Sequence, residues 1–440
     1  MQSFCKFKID GIENRLWPIF EASVVYLGLI LCFSLGYLAI IFEKFLHVNK
    51  AAVALTMGTL CWLIYFAKIP QEFSSVDAAE QISGVAQIIF FLLAAMVIVE
   101  LIDSHRGFKL ITDMLYTSSR RRMLWFLIGI SFFMSAVLDN LTAMIVMTSL
   151  LKKLVDDRKE RWLLGSILVI TVNAGGAWTP IGDVTTTMLW INHKITTGAT
   201  IKALFLPSVV CALVGGAIAM LFIKGEHKNV STKLHIPMEP GAKRVFLMGI
   251  LSLVMIPVWK AFFDLPPFMG ALIGLGLLWL ITDVIHFRHG EQRWHLRVVH
   301  ILTKIDTSGI LFFLGILLAI DALTMSGILK EFAHWLQTTI PNQNWVAIVI
   351  GLISSVIDNV PLVAATMGMY EMSLHPTDSP LWQMIAYAAG TGGSILIIGS
   401  AAGVVFMGLE KVDFIWYLKH VSWIALISYF AGIVVYYYIH

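Results

Sequence analysis

Residues 135–142, with the sequence SAVLDNLT, decide the fold, because they place a carboxylate in the middle of a long apolar stretch. The chain contains a second copy of this pattern, SSVIDNVP, at residues 354–361. Asp358 follows Asp139 by 219 residues, about half the length of the chain. Since a carboxylate in the hydrocarbon layer of a membrane is costly, two of them at matching positions indicate a shared polar site.

Downstream of each copy lies a stretch rich in glycine, NAGGAWTPIGD at residues 173–183 and TGGSILIIGS at residues 391–400. Gly392 follows Gly175 by 217 residues, which is almost the separation of the two aspartates. Two motifs with nearly one offset indicate a duplicated unit. Glycine permits unusual dihedral angles and proline removes a backbone donor, so these stretches predict broken helices over about 163–191 and 381–409.

The composition indicates a membrane protein with many spans. Of the 440 residues, 58% are hydrophobic and 13% are charged, and the mean hydropathy is +0.81. Backbone groups in lipid must pair within the protein, so an all-α fold is expected. The sequence contains no Walker loop, HExxH motif or dinucleotide fingerprint, so we expect neither an enzyme nor a cofactor. The expected partners are the lipid bilayer and small ions, and no nucleic acid.

The positions of Lys and Arg predict the topology. The apolar run 123–151 has basic clusters on both sides, within residues 106–122 and 152–161. Because Lys and Arg favour the cytoplasmic side, we predict that this run is a re-entrant hairpin with Asp139 near its tip. The equivalent run 345–370 has few basic neighbours, so its hairpin is predicted to enter from the opposite face.

The two hairpins therefore predict inverted repeats, each with about five transmembrane helices and one hairpin, and with broken helices at the site. This count places the N-terminus outside, although it carries Lys6, Lys8 and Arg15, and an extra crossing within 18–42 is the alternative. The predicted divisions are an N-terminal segment, a first repeat, a central loop and a second repeat, over residues 1–17, 18–223, 224–244 and 245–440.

The side chains at these breaks indicate a cation site. They supply carboxylates, amide oxygens and hydroxyls, and the four motifs contain no Lys or Arg. Hard, negatively charged oxygen ligands suit a small cation such as Na⁺ or Li⁺. The predicted cation- and proton-binding residues are Asp139, Asn140, Asn173, Thr179, Asp183, Asp358, Asn359, Thr391 and Ser394, with Na⁺ at Asp139 and Asp358. The secondary candidates are Glu100, Asp103, Thr142, Ser354, Ser355 and Ser400.

Each of these residues also has a purely structural interpretation. An isolated Asp can hydrogen-bond a neighbouring helix, and Ser or Thr often bonds to the preceding turn of its own helix. Glu100 and Asp103 end an apolar run, where a carboxylate is often only solvated. Asp183 matches Ser400 in the repeat and not a second acid.

The four motifs resemble those of the NhaD-type sodium/proton antiporters of the ion-transporter superfamily. The likeness rests on four segments, SAVLDNLTA at 135–143, NAGGAWTPIGDVTT at 173–186, SSVIDNVPLVAA at 354–365 and GTGGSILIIGSAAG at 390–403. The resemblance implies efflux of Na⁺ or Li⁺ against entry of H⁺, and an elevator-like homodimer. Dicarboxylate carriers of the same superfamily have Ser-Asn-Thr at the place of the two Asp-Asn pairs.

We interpret the chain as a secondary antiporter, expected in a bacterial inner membrane, whose hairpin aspartates bind cation and proton in turn. The alternative is a sodium-coupled carrier of a small anion or a metalloid oxyanion. An intramembrane aspartyl protease also needs two membrane aspartates, but its GxGD pattern is absent at residues 180–183, which read PIGD. A peptidase also gives no reason for an inverted repeat.

Overall fold

The regular elements of the protein are helices. The computed structural model describes residues 25–68, 75–112, 119–222, 238–339 and 343–440. In these ranges the expectation of an all-α membrane protein is confirmed. The predicted N-terminal segment 1–17 and most of the predicted central loop 224–244 lie outside the described residues.

Among the described residues, ten α-helices lie in the first half of the chain and eleven in the second half. The first ten are α1 Val25–Ile41, α2 Glu43–Leu46, α3 Lys50–Lys68, α4 Ser75–Ser104, α5 Lys109–Thr112, α6 Arg120–Leu138, α7 Asn140–Leu154, α8 Arg158–Ala177, α9 Val184–Ile191 and α10 Thr197–Met220. The others are α11 Ala242–Phe263, α12 Pro267–His286, α13 Val298–Ile301, α14 Thr307–Met325, α15 Ile328–Thr339, α16 Gln343–Ile353, α17 Asn359–Met369, α18 Pro380–Gly392, α19 Ala401–Glu410, α20 Phe414–His420 and α21 Ser422–Ile439, with a 3₁₀ helix at Phe287–Leu296.

Several of these helices are long and apolar enough to cross a bilayer. Within the described residues there are eight, namely α3, α4, α6, α10, α11, α12, α14 and α21. A helix of about 20 residues spans about 30 Å, the thickness of the hydrocarbon layer. The protein is therefore an integral membrane protein. The inverted relation of its two halves stays a prediction.

Helices end at the motifs that the sequence singled out. α6 ends at Leu138 and α7 begins at Asn140, so Asp139 is the only residue between them. In the second copy the interruption is wider, from 354 to 358. The glycine-rich stretches separate α8 from α9 over 178–183, and α18 from α19 over 393–400. These four breaks leave backbone groups outside the helices, where they can contribute to a polar site.

The chain divides into two compact units. The first is formed by the described parts of 1–89, 306–338 and 364–370. Within it α3 packs on α14, and a methyl group on Gly58 would meet the carbonyl oxygen of Gly315. Small residues of this kind let two helix backbones approach closely in a membrane. The second unit is formed by 90–305, 339–363 and 371–440, and it contains all four breaks.

In the second unit each broken helix packs on a helix of the nearest Asp-Asn pair. α8 packs on α6, and a methyl group on Gly175 would meet the carbonyl oxygen of Phe132. α18 packs on α16, and a methyl group on Gly392 would meet the carbonyl oxygen of Gly351. Because Phe132 and Gly351 are also 219 residues apart, the same backbone contact occurs in both halves. This agreement supports the duplicated unit.

A buried tyrosine fixes the last helix against the second copy. Tyr429 of α21 donates a hydrogen bond from its hydroxyl to the carbonyl oxygen of Ile348, at 2.9 Å, and its side chain is fully buried. We expect Tyr429→Phe to lower the free energy of unfolding by about 1 kcal/mol, since this hydrogen bond is lost. Tyr438→Phe is the matched control, because Tyr438 is 92% exposed. Thermal unfolding of both variants in detergent tests this prediction, and equal midpoints would contradict it.

Candidate cation site

A buried hydrogen-bond network joins the first Asp-Asn pair to both broken helices. The amide nitrogen of Asn140 donates to the side-chain oxygen of Asn173, at 3.0 Å, and to a carboxylate oxygen of Asp183. The amide nitrogen of Asn173 donates to the hydroxyls of Ser394 and Ser400, each at 2.9 Å. All five side chains are buried. We call these five residues the core network.

Asp183 is the carboxylate of the core network. It is the N-cap residue of α9, and one carboxylate oxygen accepts hydrogen bonds from the backbone nitrogen and the hydroxyl of Thr185, at 2.8 and 2.7 Å. An Asp at a helix N-terminus satisfies a free backbone donor and interacts favourably with the helix dipole. The sequence folds this way locally because Pro180 and Gly182 prevent α8 from continuing, so α9 must begin anew. Asp183 is thereby held in an ordered position.

Asp139 lies at the junction of α6 and α7 with an unusual backbone. Its dihedral angles, φ 76° and ψ 157°, fall in a region that glycine occupies almost alone. Holding another residue there costs about 1–3 kcal/mol. Its carboxylate accepts hydrogen bonds from the backbone nitrogen and the hydroxyl of Thr142, both at 2.9 Å, and so caps α7. Strained backbone that the surrounding structure maintains is frequent at functional sites.

Asp358 also precedes a helix, and its carboxylate accepts a hydrogen bond from the backbone nitrogen of Val360, at 3.1 Å. Asp139 and Asp358 are both half-buried, whereas Asp183 is buried. Asp183 interacts electrostatically with Asp139 and with Asp358. The buried carboxylate of Asp183 therefore interacts with the aspartates of both Asp-Asn pairs.

Three of the remaining predicted residues, Thr179, Thr391 and Ser355, donate to backbone carbonyl oxygens. The hydroxyl of Thr179 donates to the carbonyl oxygen of Ala136, at 2.7 Å, and that of Thr391 to the carbonyl oxygen of Tyr387 in its own helix. Ser355 likewise bonds within its own segment, to the carbonyl oxygen of Leu352. Asn359 is buried directly after Asp358. For Thr391 and Ser355 the described hydrogen bonds fit the structural interpretation.

Ser354 and its counterpart Ser135 make the same contact in the two halves. Ser135 donates to the carbonyl oxygen of Val172, at 2.6 Å, and Ser354 to that of Ala389, at 2.8 Å. Each hydroxyl ties an Asp-Asn segment to the adjacent broken helix just before the glycine-rich stretch.

Glu100 and Asp103 lie at the end of α4. Glu100 accepts a hydrogen bond from the hydroxyl of Ser104, at 3.0 Å, and Lys304 donates to that same hydroxyl, at 3.2 Å. Asp103 is exposed. The described contacts of Glu100 are thus at the helix end and not with the core network.

Two further residues contribute to the site, a secondary candidate and a residue that the sequence did not predict. Ser400 was only a secondary candidate, yet it accepts from Asn173 and from the backbone nitrogen of Gly403, so it caps α19 as Asp183 caps α9. The fully buried Tyr417 donates to the backbone oxygen of Ser394, at 2.7 Å. The repeat offset already identifies Ser400 as the counterpart of Asp183. No sequence signal marks Tyr417.

The chemistry of the assembled residues is that of an oxygen-donor site with acidic charge. In the described part of the chain, Asp139 and Asp183 have no ion pair with Lys, Arg or His. No group of three or more acidic, His or Cys side chains among the described residues lies close enough to hold a metal ion by itself. Amide, hydroxyl and backbone oxygens would therefore have to complete the coordination of a cation.

Asn173 is the residue on which the core network depends. We expect Asn173→Ala to lower transport activity at least about tenfold, because it leaves the buried partners Asn140, Ser394 and Ser400 without this amide. Asn192→Ala is the matched control, since the described hydrogen bond of the Asn192 amide is to the carbonyl oxygen of Met188 in the preceding turn. Initial transport rates in vesicles, normalised to the amount of protein in the membrane, measure the effect. Equal rates for the two variants would contradict the role of Asn173.

Comparison with known proteins identifies relatives along nearly the whole chain. Residues 37–390 match the family described as CitMHS, citrate transporter. The chain is 50% identical over 431 residues to Sodium/proton antiporter 1 of Arabidopsis thaliana, which covers 97% of this chain and 74% of that protein. Sodium/proton antiporter 2 of the same plant is 47% identical, over 93% and 99% of the two chains. The Na(+)/H(+) antiporter NhaD of Vibrio cholerae is 28% identical, over 94% and 92%.

Proposed function

Because the chain belongs to the CitMHS family and to the NhaD-type antiporters, we propose that it is a secondary antiporter that exports Na⁺, or Li⁺, in exchange for H⁺. One observation carries the proposal. The buried Asp183 interacts electrostatically with Asp139 and Asp358. The four motifs that contribute these residues contain no Lys or Arg.

Negative charges that interact with one another inside a membrane protein need compensation. An uncompensated buried charge costs several kcal/mol, so a bound cation or bound protons must neutralise part of the charge. In the proposed cycle, Asp139 and Asp358 share a Na⁺ ion with the neighbouring amide and hydroxyl oxygens. When the ion leaves, protons take its place on the carboxylates. Competition of Na⁺ and H⁺ for the same oxygens is sufficient for exchange.

The rival function is sodium-coupled uptake of a small anion, since the family is described as that of a citrate transporter. A site for a carboxylate substrate should present positive charges or neutral donors. Here the predicted hairpin positions carry Asp139 and Asp358, whose carboxylates are negatively charged and would repel an anionic substrate. The relatives with 50% and 47% identity are named sodium/proton antiporters. The antiporter proposal is therefore favoured.

Everted membrane vesicles test the proposed exchange. After a proton gradient has been built up inside the vesicles, addition of Na⁺ should release protons, which a pH-sensitive dye reports. Choline and K⁺ salts at equal ionic strength serve as controls, and labelled citrate at constant Na⁺ tests the rival. Citrate uptake without Na⁺-induced proton release would replace the antiporter proposal by that of a carrier.

The competition of the two ions predicts the pH dependence. As pH rises, fewer protons occupy the carboxylates, so the apparent KM for Na⁺ should fall, by up to about tenfold per pH unit when one proton competes. The maximal rate should change much less. Dye dequenching rates over a series of Na⁺ concentrations, at several pH values, give both constants. A KM that does not vary with pH would show that Na⁺ and H⁺ bind at different places.

The setting of the protein follows from the same proposal. An antiporter of this kind needs a membrane with a proton gradient, and a bacterial inner membrane is one such membrane. Its relatives include plant as well as bacterial proteins. The homodimer with elevator-like movement stays a prediction, which crosslinking in the native membrane can test.

A further inference from the structure

A basic cavity lies at the ends of α7, α8 and α19, away from the core network. It is an open depression with a volume of about 290 Å³. Arg161, which lines it, precedes Asn173 by twelve residues on α8, or about 18 Å along the helix axis. The residues that line the cavity are Lys152, Arg158, Arg161, Leu409, Glu410 and Lys411.

The charge of the cavity is strongly positive. Its lining contains four cations and a single carboxylate, that of Glu410. This carboxylate is buried and forms an ion pair with Arg161, at 3.0 Å, and a longer one with Lys152, at 3.8 Å. The nearby Asp157 carboxylate accepts from the backbone nitrogen of Glu160 as the N-cap of α8. The lining therefore carries a net formal charge of +3, and Asp156 and Asp157 are carboxylates beside it that do not belong to the lining.

Backbone carbonyls hold these cations around the cavity without neutralising them. Lys152 donates to the carbonyl oxygen of Leu409, at 3.0 Å, and Arg158 to that of Lys411, at 3.3 Å. Arg158 also stacks over the ring of Trp162, with 5.0 Å between guanidinium and ring centroid. A cation positioned in this way keeps charge and donor capacity for a ligand. The ligand indicated is an anion with several oxygens.

Apolar side chains at this end of the second unit are exposed. Leu409, which lines the cavity, is 42% exposed, and Ile415 and Leu418 of the nearby helix α20 are exposed to a similar extent. The distribution of Lys and Arg predicts that this end faces the cytoplasm. Basic pockets between membrane helices on that side commonly bind the headgroups of anionic lipids.

We propose that this cavity binds a phosphate group, for which the headgroup of an anionic phospholipid is the source that fits the exposed apolar surface. The phosphate would join the ends of α7, α8 and α19. These helices carry or begin next to Asn140, Asn173 and Ser400 of the core network. Occupancy would therefore stabilise the relative positions of the helices that form the cation site.

Native mass spectrometry of the purified full-length protein tests the proposal. The probes are phosphatidylglycerol, phosphatidylcholine and inorganic phosphate, each added separately. Arg158→Gln and Lys411→Asn each remove one cation of the cavity, and Asn is tolerated at the left-handed backbone of Lys411, φ 51°. Both leave the Glu410–Arg161 ion pair in place. Lys159→Gln is the matched control, because Lys159 is an exposed cation of α8 outside the cavity lining.

We expect wild-type protein and Lys159→Gln to retain phosphatidylglycerol in preference to phosphatidylcholine. Each cavity variant should weaken binding about fivefold and the double variant about 25-fold. If the cavity variants weaken the binding of inorganic phosphate and the protein shows no preference for phosphatidylglycerol, the phosphate site is supported but its ligand is a soluble phosphate. Binding that is absent, or equal in the cavity variants and the control, would overturn the proposal. Thermal unfolding midpoints of the same samples verify that each variant is folded.

Discussion

Replacement of Asp139 or Asp358 by Asn is expected to abolish Na⁺-induced proton release in everted vesicles. Either change removes one of the three negative charges of Asp139, Asp183 and Asp358. It also removes a carboxylate that H⁺ and Na⁺ can occupy in turn. The fold should survive both changes. An Asn side-chain oxygen can still accept from the backbone nitrogens of Thr142 and Val360, which the two carboxylates cap.

Asp306→Asn provides the matched control for these two variants. Asp306 is exposed and caps α14 by accepting from the backbone nitrogen of Gly309, at 2.9 Å, so it has the same capping role outside the site. This variant should transport like the wild type. Dye dequenching at several Na⁺ concentrations, with the amount of protein in the membrane measured in parallel, gives the comparison. Wild-type exchange in both Asp139→Asn and Asp358→Asn would remove the proposed roles of these residues.

Gly392→Ala is expected to cause the largest loss of stability. The added methyl group would overlap the carbonyl oxygen of Gly351, so α18 and α16 could not keep their distance. Because the obstacle is backbone and not a flexible side chain, we expect a loss of about 3 kcal/mol, the upper end of the usual cost of overpacking. Gly175→Ala should behave alike, since its methyl group would meet the carbonyl oxygen of Phe132.

Gly408→Ala is the control for the glycine variants. Gly408 lies in α19, and a methyl group there meets no other atom within 4 Å. Alanine in a helix is favoured over glycine by about 0.5–1 kcal/mol, so this variant should be as stable as the wild type or slightly more stable. The midpoints of thermal unfolding in detergent distinguish the cases. Equal midpoints for Gly392→Ala and Gly408→Ala would contradict the close packing of α16 and α18.

The sequence could predict where helices break, because the residues at the breaks act locally. Pro180 and Gly182 disfavour the continuation of a helix, and an Asp in an apolar run needs a partner or a function. For this reason Asp139 and the stretch 178–183 lie at helix ends, as the motifs indicated. The widths of the breaks were not predictable. A single residue suffices at Asp139 only because its backbone adopts a conformation that is rare outside glycine.

The arrangement of the core network could not be predicted, because its hydrogen bonds join residues that are far apart in the chain. Asn173 contacts Ser394 and Ser400 across more than 220 residues. The repeat offset does not help here, since the counterpart of Asn173 is Gly390 and that of Asp183 is Ser400. The two halves thus share backbone contacts but differ in the polar side chains that they contribute. Only the assembled fold shows that Asp183 is buried and interacts electrostatically with Asp139 and Asp358.

The most direct test is the number of protons released when Na⁺ binds to the purified protein in weakly buffered detergent solution. If Na⁺ and H⁺ compete for the same carboxylates, addition of Na⁺ should release protons from the wild type, whereas addition of choline should not. The variant that carries both Asp139→Asn and Asp358→Asn should release none. Saturable Na⁺ binding without proton release by the wild type, or undiminished release by the double variant, would contradict a shared acidic site for the two ions.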